Sequence, residues 1–174
     1  VNHTLGCNHC EYCLAGETTL CSENVGIAAA GFGGDAEYAL MPANTCFHLS
    51  QELSFIEGTF IACTGATVYN ALRKLKPSGR DKLVVFGLGP VGLSAVLVGK
   101  ALGATIFGVD VIPERLEMAK MLGVSEVINA SETNPIEAVQ SLTEGKGVEL
   151  ALETSGSPVA QSDAVDILRP QGKV

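Results

Sequence analysis

The apolar run Lys82-Leu83-Val84-Val85-Phe86 stops at a glycine cluster, Gly87-Leu88-Gly89-Pro90-Val91-Gly92, and a helix-compatible run to Leu102 starts straight after it. Such an abrupt change from strand to helix leaves few architectures open, because β-branched and aromatic residues in a row need cover on both faces. Gly87, Gly89 and Gly92 have the G-x-G-x-x-G spacing of a phosphate-binding strand-to-helix turn. There the glycines provide a tight turn, an approach too close for a Cβ, and helix-to-strand contact. The helix start adds unpaired N–H groups and the positive end of a dipole, which suits a pyrophosphate. Alone, the motif is of low specificity.

The flanking sequence supports it. The turn cluster Pro77-Ser78-Gly79-Arg80-Asp81 sets the first strand apart. Strands are expected at 82–86, 105–109, 126–128 and 148–152, with another beginning at Lys173. Helices are expected at 91–102, 113–122, 135–142 and 158–168, and Pro113, Pro135 and Pro158 sit where a first helical turn tolerates a missing N–H. Regular alternation with near-continuous apolar strands predicts an α/β fold with a doubly wound parallel sheet. Asp110 ends the second strand, roughly twenty residues past the glycines. A carboxylate there accepts hydrogen bonds from both ribose hydroxyls and repels a 2′-phosphate, favouring NAD over NADP. Pro113 and Glu114 just beyond make a helix-capping Asp110 the competing role, and the two are compatible.

The second local signature is Cys7-Asn8-His9-Cys10-Glu11-Tyr12-Cys13 with Cys21, a C-x2-C-x2-C-x7-C array. Four thiolates at loop spacing can close a tetrahedral zinc shell with no open position, which makes a structural site. The alternatives are a pair of disulfides or inert buried thiols; thiols two residues apart are poorly placed for unstrained disulfides. A nucleic-acid zinc ribbon fits poorly, since the lobe carries Glu11, Glu17 and Glu23 and no Lys or Arg. His9 is expected to face solvent, and none of the three histidines is assigned a role. Between the two signatures, residues 31–42 read as a glycine turn feeding a short strand, and 46–49 as another strand with Cys46 buried. Ser54-x-x-Glu57 has the form of a capping box. Cys63, in an apolar helical context, is most simply a buried core thiol.

Composition narrows the partners. With net charge −8 and pI near 4.8, nucleic acid has no electrostatic footing. The uncharged run between Lys82 and Lys100 is too short, and too broken by Gly and Pro, for the ~20 residues of a membrane span. No signal peptide is visible, and six cysteines without one argue for metal or catalysis in a cytoplasmic location. The chain does not begin with Met and Gly172-Lys173-Val174 reads as a strand just starting, so both ends are expected to continue in a longer protein.

Together, the four cysteines and the downstream glycine turn resemble the zinc-dependent medium-chain alcohol dehydrogenases, over nearly the whole chain from Cys7 onward. Gly33-Gly34-Asp35-Ala36-Glu37-Tyr38 is similar to the family's G-G-x-A-E-Y segment. One departure is Asn8, where relatives usually carry Gly; Asn tolerates the positive φ that such a knuckle needs. The resemblance implies a partial GroES-like β catalytic domain with the four-Cys zinc lobe (1–64), then a partial Rossmann domain (65–174). It implies structural zinc at Cys7, Cys10, Cys13 and Cys21, and Cys63 as the third protein ligand of a catalytic zinc. It places Thr67 against the nicotinamide, Gly87, Gly89, Pro90, Val91 and Gly92 around the cofactor, Arg115 on the ribose beside Asp110, and Ser155 on the closing loop. For Ser155, capping the Pro158 helix is the competing role. In the family the other two catalytic-zinc ligands and the proton relay precede the zinc lobe, so these residues alone are not expected to turn over an alcohol. The expected function is hydride transfer between a small alcohol or carbonyl compound and NAD, with a homo-oligomer at full length. Two other functions stay open: a quinone-reductase-like relative without catalytic zinc, against which the four-Cys lobe argues, and a non-catalytic zinc- and NAD-binding chain.

Overall fold

The computed structural model describes every residue except Val1, Ala28 and Phe32, and the chain divides into two units, Val1–Ala62 and Cys63–Val174. In the first, β1 (Thr4–Leu5) pairs antiparallel with β2 (Val25–Gly26), tying off the loop that carries the cysteines. Helix α1 (Glu11–Leu14) is a single turn within that loop, and α2 (Phe55–Phe60) comes last. The Ser54–Glu57 capping box forms: Glu57 N–H donates to Ser54 Oγ at 3.2 Å and Ser54 N–H donates to Glu57 Oε2 at 2.7 Å. The Ser54 N–H, joined by the Ser54 hydroxyl donating to the same Oε2, holds the Glu57 carboxyl below its ordinary range.

Two expectations for this unit fail. No strand forms in 31–42 or 46–49 among the described residues; a 3-10 turn, Ala43–Thr45, stands between them, and Cys46 is exposed. Phe32, in the first stretch, lies outside the described residues. An alternating pattern becomes a strand only when a neighbour takes its ladder bonds, and the described ladder here is confined to β1 and β2. Tyr38, Leu40 and Phe47 are exposed accordingly.

The second unit begins with α3 (Ala66–Leu75) and then alternates. Its order is β3 (Lys82–Phe86), α4 (Pro90–Ala101), β4 (Thr105–Asp110), α5 (Pro113–Met121), β5 (Glu126–Asn129), α6 (Pro135–Leu142), β6 (Val148–Glu153), α7 (Pro158–Asp166) and β7 (Leu168–Lys173). The strands form one parallel sheet in the order β5-β4-β3-β6-β7, a doubly wound α/β arrangement. The central strand shows why the pattern folds this way. Leu83 and Val85 face a core shared with Leu72, Val96 and Leu116, from α3, α4 and α5. Val84 and Phe86 face the opposite core, with Val139 of α6 and Ala164 of α7. Burying both faces stabilises by about 1.5–3 kcal/mol for each large side chain. Helices α4 to α7 each open on a proline, pre-set for the first turn.

The C-terminal end departs from expectation. Helix α7 stops at Asp166, and β7 starts at Leu168 rather than at Lys173. Pro170 cannot continue a helix, and it is tolerated in β7 because that strand lies at the sheet edge. The pairing jumps from Val148↔Leu168 to Leu150↔Lys173, with Gln171 at φ 67° within the bulge. Among the described residues, no helix is long and apolar enough to cross a membrane.

Candidate functional site

In the first unit the chain folds four sulfurs into one cluster. The Sγ atoms of Cys7, Cys10, Cys13 and Cys21 all lie within 4.8 Å of one another. Asn8 takes φ 63°, the left-handed turn expected of it, which carries the chain back on itself between Cys7 and Cys10. Backbone N–H groups then point at the sulfurs: Cys10 N to Cys7 Sγ at 3.4 Å, Cys13 N to Cys10 Sγ at 3.4 Å, and Cys7 N to Cys21 Sγ at 3.5 Å. Gly6 was not singled out in the sequence, yet a Cβ there would lie 2.6 Å from Cys13 Sγ. Its position directly before the first cysteine was the available signal.

The arrangement fits zinc. Four Zn–S bonds of ~2.3 Å in a tetrahedron require sulfurs ~3.8 Å apart, and Cys7 Sγ and Cys13 Sγ are 3.9 Å apart. The thiols are unequal: the His9 backbone N–H bonded to Cys7 leads in bringing its pKa down to about 6, while partial burial leads in pushing Cys13 up to about 12. Cys13 therefore holds a proton that a metal has to displace. Zinc uptake is expected to release protons and to tighten as pH rises, measured by calorimetry in buffers of different ionisation heat; uptake without proton release would contradict the site. His9 is exposed as expected, with Nδ1 2.8 Å from the Cys7 carbonyl oxygen and Nε2 4.0 Å from Glu23. The Cys7 carbonyl raises the His9 pKa.

The second unit holds a cleft of about 640 Å³ at the carboxyl ends of the strands, where the strand order reverses between β3 and β6. Gly87 and Gly89 form one wall, Asp110 and Arg115 another, and Thr154 and Ser155 a third. Gly87 has φ 81°, and a Cβ on it would lie 2.7 Å from Ser155 N; Gly89 has nothing within 4 Å of its missing Cβ and leaves open space. Gly92 sits in the first turn of α4, where a Cβ would lie 1.8 Å from the Gly87 carbonyl oxygen. Pro90 and Val91 start α4, and Val91 packs against the core below.

Asp110 is 6% exposed. Its Oδ2 accepts from Leu88 N at 2.6 Å, and Oδ1 accepts from Val111 N at 2.7 Å and Ile112 N at 2.9 Å. The α5 N-cap is Ile112, so Asp110 caps the turn before the helix and not the helix itself. Those three donors leave about one of its four acceptor sites free. Arg115 Nη1 is 3.6 Å from Oδ2, on a half-exposed side chain. Ser155 does not cap α7 either: the N-cap is Ser157, whose N–H donates to Ser155 Oγ at 3.1 Å. Cys63 sits in a π turn, Ile61–Gly65, and is exposed, contrary to a core thiol. Thr67, in the first turn of α3, is exposed too, and neither residue lines the cleft. Among the described residues, the metal-spaced groups do not include Cys63.

The chain is similar to known proteins along nearly its whole length. Residues 1–51 match the alcohol dehydrogenase GroES-like domain, and residues 90–174 match the zinc-binding dehydrogenase family. An NAD-dependent alcohol dehydrogenase of Sulfurisphaera tokodaii is 37% identical over 99% of this chain and 50% of its own length. The sorbitol dehydrogenase of Bacillus subtilis is 35% identical over 97% of this chain and 48% of its own. The solved alcohol dehydrogenase of a Thermus species superposes with a TM-score of 0.89 at 33% identity, covering 99% of this chain and 55% of that one. The chain spans about half the length of the curated relatives it matches. The chain belongs to the zinc-binding medium-chain alcohol dehydrogenase family.

Proposed function

We propose that this chain is part of an enzyme that transfers hydride between an alcohol, or its aldehyde or ketone, and NAD, with a structural zinc on Cys7, Cys10, Cys13 and Cys21. The cleft carries the proposal: a glycine turn at the switch point faces a buried carboxylate, Asp110, that still has acceptor capacity. Residues 1–64 are then the end of a catalytic domain and residues 65–174 the start of a cofactor domain. A catalytic zinc held in part by Cys63, distinct from the closed four-Cys site, would supply Lewis-acid polarisation of the alcohol oxygen, and NAD in the cleft would supply the hydride acceptor.

The residues divide the work. Gly87, Gly89 and the α4 N-terminus, with Pro90, Val91 and Gly92 in its first turn, receive the pyrophosphate. Asp110 and Arg115 hold the adenosine ribose, Ser155 lies on the loop that closes over the cofactor, and Thr67 faces the nicotinamide. Cys63 contributes one thiolate to a catalytic zinc whose other ligands, like the proton relay, lie outside these residues. An alcohol or polyol substrate agrees with the names of the relatives. A homo-oligomer in the cytoplasm, where thiols stay reduced, completes the proposal. For these residues taken alone, the lack of a metal-spaced partner for Cys63 among the described residues favours a zinc- and NAD-binding chain without turnover.

Fluorescence titration with NADH and NADPH tests the cofactor. The unaltered chain should prefer NADH, and Asp110→Asn, which removes the charge and keeps one of the two oxygens that accept from the turn, should narrow that preference about tenfold by easing 2′-phosphate repulsion. An unchanged preference would remove Asp110 from ribose recognition.

A further inference from the structure

We propose that Thr154 is a positioning residue for the dinucleotide site: its hydroxyl holds the glycine turn in the shape that opens the α4 N-terminus to the cleft. The inference rests on the cofactor assignment above, to which it adds a residue outside the glycine motif. Strands β3 and β6 are neighbours, paired from Leu83↔Leu150 to Phe86↔Glu153. Past the last pair, Thr154 N–H donates to the Phe86 carbonyl oxygen at 2.8 Å, extending the ladder by one rung. The side chain adds what a ladder cannot. Thr154 Oγ1 lies 2.9 Å from the Phe86 oxygen and 2.7 Å from the Gly87 oxygen. The shorter of the two contacts is to the Gly87 oxygen, while the Phe86 oxygen already accepts the amide, so the hydroxyl proton is assigned to Gly87.

The Gly87 oxygen is also the atom on which α4 rests. A Cβ on Gly92 would meet it at 1.8 Å and Thr154 Oγ1 at 3.0 Å, so hydroxyl, carbonyl and Gly92 Cα form one close contact. That contact sets how near the first turn of α4 comes to β3. Gly87, at φ 81°, would otherwise be the softest joint of the turn. Glu153 fixes the opposite side: its carboxylate accepts from Ser155 N at 2.6 Å and Gly156 N at 3.0 Å, and also from the Ser155 hydroxyl. Ser155 is thereby held against Gly87, where it leaves no room for a Cβ. Thr154 joins two anchored loops and lines the same cleft as Gly89.

Thr154→Val keeps the shape and removes the proton; Thr154→Ser keeps the proton. Affinities for NADH, ADP-ribose and adenosine, together with amide hydrogen exchange over residues 87–92, distinguish positioning from a merely structural role. Thr154→Val is expected to weaken NADH and ADP-ribose about tenfold, the cost of a partly buried carbonyl left facing a methyl group, and to speed exchange in the turn. Adenosine, which carries no pyrophosphate, should bind both variants like the unaltered chain, and Thr154→Ser should match the unaltered chain throughout. Unaltered binding and exchange in Thr154→Val would overturn the proposal, as would an equal loss in Thr154→Ser. If the unaltered chain binds no NADH, the cofactor assignment falls first. Exchange then decides the remainder: a turn equally protected in Thr154→Val overturns the role of the hydroxyl, and a loosened one upholds it.

Discussion

Replacing Cys10 by serine is expected to empty the zinc lobe, with metal analysis falling from about one zinc per chain to near zero and zinc affinity dropping by more than about 100-fold. Even outer-shell partners of a metal ligand are worth roughly 10–100-fold in affinity, and Cys10 is more than a partner. Its sulfur is one of the four in the cluster, and it also accepts the Cys13 N–H and so caps α1. Its own N–H donates to Cys7 Sγ. Structural zinc at such a site supplies about 10–16 kcal/mol of apparent binding energy, which is available as folding energy for a loop with little core of its own. In that loop only Cys21 among the four cysteines is buried. Rapid proteolysis between residues 6 and 24 should therefore accompany the metal loss. Cys63→Ser provides the contrast, because Cys63 lies outside the cluster: zinc should stay near one per chain. An unaltered chain without zinc, or a Cys10→Ser chain that retains it, would rule out the lobe as a structural site.

The sequence revealed this lobe because its ligands are close along the chain, so spacing alone carried the geometry. Even the Asn8 departure was interpretable, since the side chain that replaced glycine tolerates the same positive φ. The sheet was legible for a different reason. Parallel strands buried on both faces read as continuous apolar runs, and glycine and proline punctuate each crossover. Legibility failed where structure depends on a neighbour. The strands expected within 31–42 and at 46–49 find no ladder among the described residues, and β7 begins five residues before the expected Lys173, with Pro170 tolerated because the strand lies at the sheet edge. Thr154 was overlooked for the same reason. Its hydroxyl acts on Gly87 across a sequence separation of 67 residues, through the adjacency of β3 and β6 that no local pattern displays. For Asp110, the sequence found the carboxylate but not the three backbone donors that hold it.

Adding one methyl group at each of two glycines in the opening motif should produce opposite failures. Gly92→Ala is expected to lower stability by roughly 3 kcal/mol or more, about 10 °C or more in Tm. The new Cβ would stand 1.8 Å from the Gly87 carbonyl oxygen, and a backbone atom in a hydrogen-bonded turn cannot rotate away as a side chain can. Relief requires α4 to move off β3, opening the packing of Ala95 and Val96 against Leu83 and Val85. Gly89→Ala should fold as well as the unaltered chain: its φ is −70°, and its Cβ would have nothing within 4 Å. The space that methyl group enters is the space proposed for the pyrophosphate, so NADH affinity should fall by more than about tenfold at unchanged Tm. Thermal unfolding and NADH titration on the two variants separate the roles. Normal folding of Gly92→Ala would contradict the close contact beneath the turn. Normal NADH binding by Gly89→Ala would mean that the phosphates, if bound at all, do not cross the turn where the glycine leaves it open.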